Sequence, residues 1–237
     1  MGQQIRVMND ALAPARAYGA SRRAGTLARM LEPVDPAVEN AIAFLRGHLS
    51  GILRFDSEHR PIKIIVAPDG HLAASVMVAM IRSVDTTLCL PDEDDESMHL
   101  HVTLEQFDEN GPKAAFADRW RIYHGDPPDV RWATISIDAA RFNGLFIDGE
   151  ALMRPNALAA SEAAICKALN AAHTDLVRTA CLTSAEVGME KPIVVGVDGS
   201  GIDVRGAIDI VRLNAPIELH NEADALRALK KVAGRSV

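Results

Sequence analysis

Met98-His99-Leu100-His101-Val102-Thr103-Leu104-Glu105-Gln106-Phe107 is the stretch on which the fold turns. In an extended chain successive side chains point to opposite faces. Met98, Leu100, Val102 and Leu104 therefore share one face, and His99, His101, Thr103 and Glu105 share the other. A strand with one apolar face and one polar face covers a core on one side only. Its apolar face is expected to line a barrel.

The neighbouring segments agree. Toward the N-terminus, residues 86–90 (Thr-Thr-Leu-Cys-Leu) read as a strand, separated from the first by Asp92-Glu93-Asp94-Asp95-Glu96. Residues 71–81 form a strongly apolar strand, and residues 63–67 another, joined through Pro68-Asp69-Gly70, whose residue types favour a turn. Before them, Asp35-Pro36 suits a helix start. Val38, Ala41, Ile42, Leu45, Leu49 and Ile52 recur at helical spacing, which predicts a helix over 36–53. Toward the C-terminus, residues 114–124 read as a helix with Phe116, Trp120 and Tyr123 on one stripe. Strands follow over 130–137 and 141–147. Several antiparallel strands joined by short connections predict an α+β fold built on a barrel or sandwich.

Pro155 marks a break. An Ala-rich helix is expected over 157–176 or on to 180, then a strand over 192–197. Asp198-Gly199-Ser200-Gly201 is hairpin-turn chemistry, and residues 202–211 are expected to pair back. Residues 223–232 form the last helix. The chain thus divides into an arm over 1–35, a barrel domain over 36–155 and a helix-plus-sheet domain over 157–237. The arm, with five arginines and little core pattern, is read either as a segment packing on a partner subunit or as disordered.

Composition narrows the function. The net charge of −7 advertises no basic face for nucleic acid. No stretch approaches the run of apolar residues that a membrane-spanning helix needs, and residues 1–6 lack a leader pattern, so a cytoplasmic protein is expected. Three scattered cysteines, Cys89, Cys166 and Cys181, form no C-x-x-C pair and read as reduced, partly buried thiols.

Several phrases resemble the haem-utilisation branch of the pyridoxamine 5'-phosphate oxidase-like, FMN-binding split-barrel superfamily. Residues 65–75 (Ile-Val-Ala-Pro-Asp-Gly-His-Leu-Ala-Ala-Ser) look like its opening hairpin. Residues 117–125 (Ala-Asp-Arg-Trp-Arg-Ile-Tyr-His-Gly) look like its post-barrel helix. Residues 169–175 (Leu-Asn-Ala-Ala-His-Thr-Asp) resemble its M-N-x-D-H-x-D helix. Residues 194–205 resemble its D-x-x-G-x-D-L-R hairpin, the most specific of these matches. The resemblance implies an antiparallel split β-barrel followed by a small helix-plus-sheet domain, a homodimer, and FMN or haem as ligand classes. Flavin-binding relatives hold the cofactor phosphate on a polar loop after the third strand. Here that place carries five carboxylates over 92–96, which repel a phosphate dianion and disfavour FMN.

The candidate site residues follow. His173, with Asn170 on the same helical face, is a candidate haem ligand or else a hydrogen-bonding helix histidine. Arg82 and Ser83, expected at the end of the second strand, stand where the resemblance places part of a phosphate site. His99 and His101 form an i, i+2 pair that either chelates a metal, with Glu105 further along, or is a solvated strand face. The expected function is a ligand-binding or regulatory dimer. The alternative is an FMN- or haem-dependent oxidoreductase acting in the dimer groove.

Overall fold

The computed structural model describes residues 35–94, 96–129, 131–207 and 209–234. The arm expected over 1–35 therefore lies, except for Asp35, outside the described residues. Pro36–Val237 holds two hydrophobic cores that meet at a polar seam.

The first part opens with helix α1 (Pro36–Gly47), followed by β1 (Ser50–Phe55), β2 (Glu58–Val66), β3 (Leu72–Val76), the short helix α2 (Val78–Arg82), β4 (Thr86–Leu90) and β5 (Met98–Phe107). Helix α3 (Ala114–His124), β6 (Arg131–Phe142), β7 (Leu145–Asp148) and α4 (Gly149–Leu152) complete it. The strands run in the order β3-β2-β1-β4-β5-β6-β7, and β3 also pairs with β6. That pairing closes six antiparallel strands into a barrel, with β7 continuing beyond it. Strand β6 makes closure possible through its length. Its first half pairs with β3 and its last residues with β7, while β5 runs along most of it.

Strand β5 presents the alternation expected of it. Met98, Leu100 and Val102 are buried, while His101 and Thr103 are exposed. The row Leu53, Leu88, Leu100 and Ala140, set by the strand registers, crosses the barrel interior from strand to strand. Each such leucine contributes about 1.5–3 kcal/mol by leaving water.

Several expectations are corrected. The helix over 36–53 stops at Gly47, and residues 50–55 are strand β1. Leu49 and Ile52 continue the helical spacing, but pairing with β2 and β4 recruits Leu53 and Phe55 into the barrel. The strand over 71–81 is β3 followed by α2, which places Met80 against the core and leaves Arg82 exposed. Arg82 and Ser83 therefore end a short helix rather than a strand. The two strands over 130–137 and 141–147 are β6 and β7, turned at Asn143-Gly144. Both turn residues have positive φ (50° and 75°), as a tight two-residue hairpin requires.

The second part contains α5 (Glu162–Ala172), α6 (Thr174–Ala185), β8 (Ile193–Asp198), β9 (Gly201–Arg205), β10 (Ile210–Asn214) and α7 (Glu222–Val232). Its sheet has the order β10-β9-β8. The single helix over 157–176 is two helices that break at His173. The return strand over 202–211 is β9 and β10. The turn at 198–201 forms as expected, with Asp198 accepting from the backbone N–H and the hydroxyl of Ser200. Leu169, Val177, Cys181, Val204, Leu213 and Leu229 lie in the second core.

Candidate functional site

The polar seam is built from side chains of both parts. Arg46 on α1 pairs with Asp198 at 2.6 Å. Arg212 on β10 bridges Asp198 and Asp203, each at 2.8 Å. The Tyr123 hydroxyl donates to Asp203 at 2.8 Å and accepts from Arg119 at 2.9 Å. Arg119 in turn forks onto both carboxylate oxygens of Glu162, and Glu162 accepts from the Val197 N–H. Three guanidinium groups thus alternate with three carboxylates, and each is compensated where it is buried. Burial works against the charge of Asp198, but Arg212 and Arg46 outweigh it and hold the carboxyl well below the usual range. Burial, with Asp203 alongside, pushes the Tyr123 hydroxyl well above its ordinary value. A cavity of about 20 Å³ among these groups has room for one water.

Beside the seam, two grooves of about 500 Å³ each share Ser50, Lys63 and His124 as walls. The first runs past His48, Leu49, Arg205 and Ile210. The second runs over Ile52, Pro61, Met80 and Trp120, with Asp92, Asp126 and Asp129 also lining it. Together they follow the outer face of β1 and β2, where Ser50 pairs across to Lys63 and Ile52 to Pro61.

The position of His124 follows from the barrel. Strand β2 pairs with β1 up to Lys63 and with β3 from Ile64. At this change of partner two backbone carbonyls are met by side chains of α3. Trp120 Nε1 donates to Lys63 O at 2.9 Å, and His124 Nε2 donates to Ile64 O at 2.8 Å. A carbonyl only accepts, so the imidazole carries its proton on Nε2 and keeps a lone pair on Nδ1. That nitrogen has no hydrogen-bond partner among the described residues. Burial drives the His124 pKa down to about 4, Lys63 and Arg205 push the same way, and the bond to Ile64 O opposes them. At neutral pH the ring is an uncharged electron-pair donor on the groove wall.

The residues expected from sequence lie elsewhere. Asn170 is committed to β8, donating to Val194 O and accepting from the Val194 N–H, both at 2.8 Å. His173 sits at the junction of α5 and α6, beside Asp175 and Lys230. Ser83 donates to Asp56 and to Asp85 O. His99 bonds Asp94 O through Nε2, and His101 is exposed on the same face of β5. Among the described residues no three His, Cys, Asp or Glu side chains gather as a metal-binding group. Of the acidic stretch, Asp92 lines the groove, while Glu93 turns to Arg54 at 3.2 Å. Burial raises the pKa of each of the three thiols, Cys166 to about 12 and Cys181 to about 11, which disfavours their thiolate forms. His124 stands in the phrase at 117–125 but carries no distinguishing signal there, because its role depends on a carbonyl 60 positions away.

The fold has a solved counterpart. A protein of unknown function from Agrobacterium tumefaciens str. C58 superposes with a TM-score of 0.64 at 19% identity, covering 86% of this chain and 97% of that one. A heme binding protein from Mycobacterium smegmatis aligns with a TM-score of 0.41 at 17% identity, covering 85% of this chain and 98% of that one. The first likeness supports the fold alone. No family model and no curated protein matches the chain. Among the described residues no helix is long and apolar enough to cross a membrane.

Proposed function

We propose that this chain is a ligand-binding protein of the split-barrel type whose groove beside α3 takes an iron tetrapyrrole. The observation that carries the reading is His124. It is a neutral imidazole on the groove wall, with Nε2–H held by a backbone carbonyl and Nδ1 without a hydrogen-bond partner among the described residues. Metal-bound histidines are usually oriented in this way, the second nitrogen being tied to a carbonyl or carboxylate.

The remaining walls suit the same ligand class. Across the two grooves Ile52, Pro61 and Ile210 offer apolar surface for a flat macrocycle, and Lys63 and Arg205 offer cations for its carboxylates. When bound, the iron supplies a site for ligand exchange or electron transfer. The chain's own residues bind and orient it, and Ile64 O fixes the tautomer of His124.

The test is a hemin titration followed by the Soret band. Wild type is expected to bind with about one equivalent per chain. His124→Ala is expected to lose at least about tenfold in affinity, the lower end of what removing a mere supporting partner costs. His173→Ala and the double variant His99→Ala/His101→Ala are expected to bind as wild type does. A wild type that shows no Soret shift rejects the reading. An unchanged His124→Ala rejects the site.

A further inference from the structure

We propose that Trp120 and Trp132 form a one-electron relay leading from the groove wall toward Glu109 on the surface, which takes the proton that oxidation releases. The chain is poor in aromatic residues, at 4%, yet its two tryptophans and Tyr123 fall in one contiguous run of rings through His124. Tyr18, the other tyrosine, lies outside the described residues. Trp120 lines the second groove, its ring centroid 4.9 Å from that of His124. Trp132 meets Trp120 edge to face at 5.6 Å, with planes 74° apart. Tyr123 lies 6.1 Å from His124 on the other side. Rings at such separations are in contact, and an electron crosses from one to the next without either reaching water. Burial of the indoles, at 1% and 4% exposure, therefore leaves the relay open while keeping out oxidants that act by collision.

The proton decides where the oxidising equivalent stops. An oxidised indole or phenol is a strong acid, so it comes to rest on the ring whose N–H or O–H faces a base in touch with solvent. Trp120 Nε1 donates to Lys63 O at 2.9 Å, and a backbone carbonyl takes up no proton. Tyr123 Oη donates to Asp203, but that carboxylate is buried and held by Arg212, and burial already opposes loss of the phenol proton. Trp132 Nε1 donates to Glu109 Oε2 at 3.2 Å, within reach for proton transfer, and Glu109 is exposed. Arg121 pairs with Glu109 and, with the Trp132 N–H, holds it as a carboxylate. The Arg121 guanidinium also stands 5.1 Å from the Trp132 ring centroid, where it disfavours a second positive charge. Electron and proton thus leave Trp132 together.

A one-electron oxidant in the groove, a metal complex or an organic radical, takes one electron from Trp120. Trp132 refills Trp120 and gives its Nε1 proton to Glu109, which passes it to water. The net products are a reduced oxidant, a neutral Trp132 radical and one proton in solution. The oxidising equivalent is drawn away from His124 and the groove. No step depends on which oxidant occupies the groove, so the relay stands apart from the tetrapyrrole reading.

The experiment is flash-quench oxidation of the full chain by photogenerated tris(bipyridine)ruthenium(III), with a cobalt(III) ammine as quencher. Transient absorption and freeze-quench electron paramagnetic resonance read the radical. The net charge of −7, with Asp92, Asp126 and Asp129 on the groove, favours approach of this cation. Wild type is expected to yield a neutral tryptophanyl radical. Trp132→Phe is expected to lose it, and Trp120→Phe to form it more slowly. Glu109→Gln, a change at an exposed side chain, is expected to give the protonated tryptophan radical cation first. Far-UV circular dichroism verifies folding of each variant. A wild type that yields a tyrosyl radical, or no protein radical, overturns the proposal. So does a folded Trp132→Phe with an unchanged radical, or a folded Trp120→Phe with an unchanged rate. If the tryptophan variants do not fold, unchanged proton loss in Glu109→Gln overturns it.

Discussion

His124 shows how little of a site a residue type carries by itself. Its neutrality comes from the fold, through burial, with Lys63 and Arg205 adding to the effect. Stability should therefore depend on pH through this side chain. A histidine in the unfolded chain titrates near 6.5, and the folded one near 4. Between those values the unfolded chain takes up the proton and the folded chain does not. The favourable contribution is whole above pH 6.5 and shrinks as the pH falls through 4. For the apoprotein, the loss attributable to His124 between pH 7 and pH 4.5 is expected to be roughly 2–3 kcal/mol. Urea unfolding at the two pH values, for wild type and His124→Gln, measures it. An equal drop in both proteins would show that His124 is not the group responsible.

At the level of elements, the register of β8 locks the seam. Its pairing with β9 shifts between Val194 and Gly196, a bulge that lets Val195 join the barrel core. Gly196 then lies under α3. A Cβ there would stand 1.8 Å from Tyr123 Oη and 2.9 Å from Asp203 Oδ2. Gly196→Ala must push Tyr123 off Asp203 or bend the strand, and is expected to cost about 1–3 kcal/mol. The same change in a Tyr123→Phe background, where the hydroxyl is gone, is expected to cost less, which a double-mutant cycle by chemical denaturation reads directly. Additive effects would mean that the crowding lies elsewhere. The sequence signals around this point were legible as a strand, a D-G-S-G turn and a second strand. The bulge was not, because the pull on Val195 comes from a core belonging to the other part of the chain.

For the whole molecule, β7 ends the sheet order, so one of its edges has no strand partner among the described residues. Phe146 on this strand is 84% exposed and Leu145 is 48% exposed. A bare edge carrying large apolar side chains invites pairing with another chain. A second copy joined through the barrel is the partner the family resemblance implies. The expected outcome is a dimer by light scattering at micromolar concentration, reduced to a monomer by Phe146→Asp. A monomeric wild type refutes it.

What the sequence determined by itself is local in origin. The alternation of β5, the Asp198 turn and the bounds of α3 and α7 rest on side-chain periodicity and capping within a few residues. For α7 that includes Asn221 accepting from the Asp224 N–H at 3.0 Å. The tertiary structure alone decided that residues 50–55 are a strand, that β3 and β6 close the barrel, and that Asn170 is tied to Val194 of β8 while His48 and His124 line a groove. Each of these depends on partners far along the chain: Leu53 on Leu88, Ala74 on Ala133, His124 on Ile64 O, Tyr123 on Asp203. Helical spacing at Leu49 and Ile52 lost to barrel closure because burying Leu53 and Phe55 on a strand paired at both edges outweighs the few tenths of a kcal/mol, roughly, that separate helix propensities.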